Sequence, residues 1–243
     1  MPRSKHLSRA ICFALSFCFM FSAVFCLSSA KAYASTDPNV QLLYAQRDEP
    51  GEAAYGGYLG FIDVKNLAYQ KNVTVHYTTD GNSWQDVSAQ YLKNDPEDPQ
   101  YDVWEFSIFA PSSPVTFAIK YEVNGQTYWD NNNGNNYTLS PTDPIVLEKC
   151  ALKTAQLKEG SPTAIFLKNL GYEKTVLVKY TTDNWATTNS ANASYEKTLP
   201  GNVEQWSIPS DLPHGSNVKY FVSYTVNGIT YIDNNFGDNY TNY

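Results

Sequence analysis

Two segments of this chain gather aromatic rings and side-chain amides at matching positions. The first reads Thr127-Tyr128-Trp129-Asp130-Asn131-Asn132-Asn133-Gly134-Asn135-Asn136-Tyr137-Thr138. The second, 103 residues later, reads Thr230-Tyr231-Ile232-Asp233-Asn234-Asn235-Phe236-Gly237-Asp238-Asn239-Tyr240-Thr241. Rings offer flat apolar faces, and each amide is both donor and acceptor. This is chemistry for holding a ligand without reacting with it. Bond-making residues are scarce. His76 and His214 show no metal-ligand spacing, and there is neither a Gly-x-Ser-x-Gly elbow nor a His-Glu-x-x-His helix motif. Glycoside hydrolysis needs two carboxylates across a cleft. Asp80/Asp183, Asp102/Glu204 and Asp130/Asp233 instead recur as one set per repeat, as scaffold or binding roles predict. A calcium loop at Asp130–Asn136 fails, because Gly134 falls one place early and Pro141 occupies the position of the bidentate acid. No catalytic residue, metal site or cofactor is therefore expected.

The repeat carries Tyr77-Thr78-Thr79-Asp80 onto Tyr180-Thr181-Thr182-Asp183, and Val123-Asn124-Gly125 onto Val226-Asn227-Gly228. A period of this length is a duplicated domain rather than a solenoid unit. Before it, Arg3, Lys5 and Arg9 precede an apolar run from Ala10 to about Leu27, and Ala30-Lys31-Ala32 and Ala32-Tyr33-Ala34 offer cleavage patterns. A signal peptide over residues 1–34 and a secreted, extracellular product, with cell-wall association as one form of it, are expected. Cleavage after Ala34 would remove Cys12, Cys18 and Cys26 and leave Cys150 alone, a buried thiol without an internal disulfide. It would also take the formal net charge from −7 to −11, with Arg47 as the last arginine. That composition disfavours nucleic acid and anionic membranes as partners. It says nothing of oligomeric state.

The expected order is a first module over residues 35–140, a stiff linker at 141–144 within Ser140-Pro141-Thr142-Asp143-Pro144, and a second module over 145–243. So short a linker restricts the relative orientation of the modules. Both read as β. Val73, Val75 and Tyr77 alternate with polar neighbours, as do Phe117, Ile119, Tyr121 and Val123, and Tyr220, Val222, Tyr224 and Val226. Asn124-Gly125 and Asn227-Gly228 are two-residue hairpin turns. Such a turn pairs Tyr121 with Tyr128 facing the core, and Lys120 with Trp129 facing out. In the second copy it pairs Tyr224 with Tyr231 and leaves Ile232 and Phe221 outward. The fold class is all-β, two tandem immunoglobulin-like antiparallel sandwiches after a cleaved signal peptide.

Several segments resemble carbohydrate-binding module family 21, the starch-binding type found on fungal glucoamylases and on glycogen-targeting subunits of protein phosphatase 1. They are Lys65-Asn66-Leu67-Ala68-Tyr69-Gln70-Lys71-Asn72-Val73-Thr74-Val75-His76-Tyr77, then Trp84, Trp104 and Tyr128-Trp129-Asp130-Asn131-Asn132. The second half matches through Lys168-Asn169-Leu170-Gly171-Tyr172-Glu173-Lys174, Trp185, Trp206 and Asp233-Asn234-Asn235. The resemblance implies a non-enzymatic protein that binds α-1,4-glucans, starch or glycogen, at two surface sites per module. One site would use Trp84 and Trp129 as a platform with Asn131 and Asn136. The other would use Tyr69, Lys71, Tyr91, Tyr101 and Asp102. In the second module the first site maps to Trp185, Phe221, Asn234 and Asn239, and the second to Tyr172, Lys174, Tyr195 and Glu204. Ala118 stands where the family often has an aromatic, Ile232 replaces the ring matching Trp129, and Val203 the one matching Tyr101. These departures imply weaker binding by the second module.

Those residue types suit a pyranose, whose apolar C–H face is buried by rings and whose hydroxyl rim is met by amides. Trp104, Trp206, Tyr77 and Tyr180 are better read as core. Asn131 and Asn234 serve turn chemistry or ligand equally well. Trp84 and Trp185, after the Thr-Thr-Asp strand ends, read as ligand contacts in an exposed loop. Glycosylation sequons start at Asn72, Asn136, Asn192 and Asn239, and a glycan on Asn136 or Asn239 would block the site. The alternative to glucan storage polymers is a structural or adhesive cell-wall or spore-surface protein that binds other wall glycans. A phosphatase-targeting role is disfavoured, because Val115-Thr116-Phe117 follows Pro114 without a basic residue.

Overall fold

The computed structural model describes residues 39–48, 56–143, 145–155 and 163–242. The expected leader lies outside them, as does Pro144 of the expected linker. The first module carries β1 (Val40–Asp48), β2 (Gly57–Lys65), β3 (Lys71–Thr78), β4 (Trp84–Ser88), β5 (Gln90–Asn94), β6 (Tyr101–Phe109), β7 (Val115–Val123), β8 (Gln126–Asp130) and β9 (Tyr137–Leu139). Next come β10 (Ile145–Leu147) and β11 (Leu152–Ala155). The second module continues with β12 (Ala164–Lys168), β13 (Lys174–Thr181), β14 (Asn189–Asn192), β15 (Ser194–Leu199), β16 (Val203–Ser207), β17 (Gly215–Val226), β18 (Ile229–Asp233) and β19 (Tyr240–Asn242).

All pairings are antiparallel and form four sheets. In the first module β10-β1-β2-β6-β5 faces β4-β3-β7-β8, with β9 beside β7. In the second, β11-β12-β16-β15 faces β14-β13-β17-β18, with β19 beside β17. The hairpin registers are those that the Asn-Gly turns dictate. Tyr121 pairs with Tyr128 and Lys120 with Trp129, and Tyr224 pairs with Tyr231. Asn124 and Asn227 take φ of 51° and 52°, and the following glycines are also positive, as this turn requires.

Period-2 alternation places Val73, Val75, Phe117, Ile119 and Tyr121 in one core with Leu42, Ile62 and Phe106. Val176, Val178, Tyr220, Val222 and Tyr224 form the other with Ile165 and Leu167. A third apolar cluster lies between the modules. Leu43, Tyr44, Phe61 and Val103 of the first meet Ala155, Ala164, Phe166 and Val203 of the second, with Ile145 and Leu147. On β2 and β12 neighbouring residues thus face different cores, Ile62 against Phe61 and Ile165 against Phe166. β2 and β12 are therefore buried on both faces, whereas the edge strands β5 and β15 of the same sheets are exposed. β10, just after the expected linker, pairs with β1 (Tyr44 with Leu147, Gln46 with Ile145) and satisfies its open edge.

Candidate functional site

Each module presents rings on the outer face of its β3/β7 or β13/β17 sheet. The turn before the first platform is built by Asp80. Its Oδ1 accepts from the Ser83 and Asn82 backbone N–H groups at 2.7 and 2.8 Å, and from Thr78 Oγ1 at 3.0 Å. These bonds, those from the Ser83 and Asn82 backbone foremost, hold the carboxyl well below its usual range. The turn delivers Trp84 at the start of β4, paired with Thr78, so this ring sits on a strand rather than in the expected loop. Asp183 does the same in the second module. It accepts from the Thr187 backbone at 2.9 Å and Thr181 Oγ1 at 2.7 Å, and the Thr187 bond leads the causes that lower it to about 2. There Trp185 stays in the turn, in the left-handed region at φ 71°.

Trp84 and Trp129 are 38% and 40% exposed, neither free nor core. His76 lies between them. Its ring is flat against Trp84, with centroids 4.7 Å apart and planes 11° apart, and edge-on to Trp129 at 6.2 Å. Asp86, its cross-strand neighbour, meets its Nδ1 at 2.5 Å. Sequence reasoning missed His76. The signal was available, because His76 alternates outward with Thr74 and Thr78 and pairs with the small Ala118. In the second module Lys179 occupies that place opposite Phe221, and Phe221 packs on Trp185 at 5.4 Å. The ring that supports the indole thus comes from β3 in one module and from β17 in the other. Ile232, half exposed, extends the second apolar surface.

The asparagine loops follow. Asp130 is buried and rivets the end of β8. It accepts from the Leu42 N–H at 2.7 Å and the Tyr137 hydroxyl at 2.8 Å. Asp233 repeats this with the Thr154 N–H and the Tyr240 hydroxyl. Asn131 and Asn234 give their carbonyl oxygens to the turn, accepting from Gly134 at 3.0 Å and Gly237 at 2.9 Å. Turn chemistry is therefore certain for both, with the amide NH2 left for a ligand. Asn136 and Asn239 sit at φ 57° and 61°, where asparagine is tolerated. Both are half-buried, and their carboxamides make no hydrogen bond among the described residues.

The second site divides into rings and a brace. Tyr69 and Tyr172 are both 93% exposed. Tyr91 and Tyr195, half exposed, stand edge-on to Trp104 and Trp206 at 6.1 and 5.8 Å. Lys71 and Asp102 are placed differently from the expected sugar contacts. Asp102 is 1% exposed, accepting from Lys71 at 2.7 Å and from Asn94 at 2.8 Å. Lys174 and Glu204 repeat the buried pair at 2.7 Å, with Asn169 as the lysine's other partner. Charges so enclosed satisfy each other, because an unpaired one would be costly to bury. The pairs hold the strands under the rings. Glu204 also reaches Trp206 Nε1 at 3.0 Å, whereas the shorter Asp102 leaves Trp104 Nε1 without a partner among the described residues. Tyr101 is half-buried with the Lys149 ammonium over its ring at 4.9 Å. Trp104, Trp206, Tyr77 and Tyr180 pack against the two cores.

Comparison with known proteins gives a consistent result. The sequence profile of the carbohydrate/starch-binding module (family 21) matches residues 37–140 and again 141–242. Glucoamylase 1 of Rhizopus oryzae is 40% identical over 91 residues, 36% of this chain and 15% of that protein. Protein phosphatase 1 regulatory subunit 3C of Bos taurus is 38% identical over 88 residues, 33% of this chain and 27% of that protein. The matches thus span less than a third of either relative. Among solved structures, the starch-binding domain of Rhizopus oryzae glucoamylase, in complex with beta-cyclodextrin and maltoheptaose, is 34% identical. That match covers 44% of this chain and 97% of the domain, with a TM-score of 0.35.

Proposed function

Because the chain belongs to carbohydrate/starch-binding module family 21 as two tandem modules, we propose that it is a secreted, non-catalytic binder of α-1,4-glucans such as starch or glycogen. The observation that carries this reading is the repeated ring platform. Trp84, His76 and Trp129 form one, and Trp185 and Phe221 the other, each backed by a rigid sheet. Rings already held on strands lose little entropy when a sugar covers them. The proposed hydrogen-bonding partners are the amides of Asn131, Asn136, Asn234 and Asn239. The fully exposed Tyr69 and Tyr172, with Tyr91 and Tyr195, make the second sites. Tyr101 contributes an edge. The buried pairs Lys71–Asp102 and Lys174–Glu204 position those sites from below. Secretion is supported by the basic, apolar and small-residue order of residues 1–34.

Retention on insoluble starch tests the reading. The full chain should be retained, and the Trp84→Ala, Trp129→Ala double variant should bind at least about tenfold more weakly, since ring stacking and area burial act together. The Trp185→Ala, Phe221→Ala pair should lose less. Equal retention of wild type and both variants would remove the platform assignment. Retention on a β-glucan or chitin but not on starch would replace the glucan class.

A further inference from the structure

A cleft of about 500 Å³ opens between the modules. Its size is that of ordinary small-ligand sites. One wall is the loop that carries Asp95, Pro96 and Glu97 from β5, with Tyr91, toward β6, with Tyr101. The opposite wall holds Ile232 and Asn234. The cleft thus lies between Tyr101 of the first module, whose ring is covered by the lining residue Lys149, and the first site of the second module, to which Asn234 belongs. The spacing of those sites is set by a clamp. Lys93, two residues from Tyr91, donates to Asp238 at 2.8 Å and to the Phe236 carbonyl at 3.0 Å. Phe236 lies against Phe61 at 5.5 Å and Tyr44 at 6.4 Å, and Gly237 abuts Pro96.

The walls repeat the chemistry of the outer sites. Pro96 and Ile232 offer apolar contact to a C–H face. Asn234 retains its NH2 group, and Asp95 spends one oxygen on the Glu97 N–H at 2.8 Å. The exposed Glu97 carboxylate is a further acceptor for hydroxyls. We propose that this cleft is a bridging subsite for an α-1,4-glucan segment. One linear chain would then run from Tyr101 through the cleft to Asn234, Ile232 and the Trp185 platform. The proposal rests on the α-glucan function above. Sites at fixed separation bind one long ligand far more tightly than short ones.

Calorimetric titration of the full chain with maltotriose and with a long linear maltodextrin tests it. The wild type should prefer the long chain by at least about tenfold per mole of chain. Glu97→Leu removes a cleft acceptor, and Lys93→Ala releases the clamp while leaving every proposed ring in place. Both should keep maltotriose binding and near-UV circular dichroism, and both should lose most of the long-chain preference. If both folded variants keep the full preference, or the wild type binds both sugars equally, the bridge is overturned and the α-glucan function stands. If the wild type binds neither sugar, the function itself fails and the bridge with it.

Discussion

The loops Asn131–Asn136 and Asn234–Asn239 share a backbone but not a fate. Each is riveted by a buried aspartate and closed by an asparagine carbonyl, with the last asparagine left-handed. They differ in side chain at only two positions. Asn133 corresponds to Phe236 and Asn135 to Asp238. Phe236 inserts between the modules and Asp238 meets Lys93, whereas an added Cβ at Gly134 would meet nothing within 4 Å. One copy of the loop thus faces solvent, and the other locks the modules together. The lock has a local cost, because Phe236 is held at φ 52°, where a bulky residue is an outlier. Stacking on Tyr44 and a tilted contact with Phe61 offset it.

Phe236→Asn is the largest test of this contrast, since it gives the second loop the residue of the first. Loss of the interdomain ring should destabilise the docked state by about 2 kcal/mol, less than a fully buried Phe would, because asparagine relieves the left-handed strain. Urea unfolding should separate into two transitions, and small-angle scattering should show a broader particle. A single unchanged transition would mean that the apolar sheet faces suffice.

A second test uses pH. Asp63 sits at the same interface beside the Lys149 ammonium, yet burial outweighs that attraction and pushes its carboxyl up to about 7. Glu148 is raised in the same direction, chiefly by burial. Between the ordinary aspartate value of 3.8 and about 7, the folded protein keeps a proton that the unfolded chain releases. Stability should therefore fall as pH rises through that window. Melting at pH 5.5 should exceed that at pH 8 by a few degrees, on the scale of about 1 kcal/mol per 2–4 °C. Asp63→Asn should flatten most of the difference, and a melting temperature that rises toward pH 8 would reverse the assignment.

The smallest effect compares the two braces. Asp102→Glu gives the first module the second module's longer acid, within reach of the unpartnered Trp104 Nε1. Satisfying that donor should add about 1 kcal/mol, read as a higher urea midpoint. No gain would show that the indole N–H is satisfied by solvent.

Much of this was legible in the chain. The Asn-Gly turns and strict alternation predict that Tyr121 and Tyr128 share a face and that Trp129 turns outward, and the strand register agrees. The stacking of His76 on Trp84 was not, since it depends on how β4 aligns beside β3. The burial of Lys71 with Asp102 needs strands 31 residues apart to meet at the sandwich end. The interdomain cluster left a trace that alternation alone passes over. Leu59 to Ile62, and Ala164 to Leu167, are unbroken runs without polar alternation, the mark of a strand buried on both sides.

Residue order alone determined two β modules, their hairpin registers and the outward rings, because turns and alternation act between near neighbours. Which rings touch, which carboxylates are enclosed and how the modules dock were decided only on folding. Those outcomes depend on desolvation and packing between segments far apart in the chain, which no local pattern encodes.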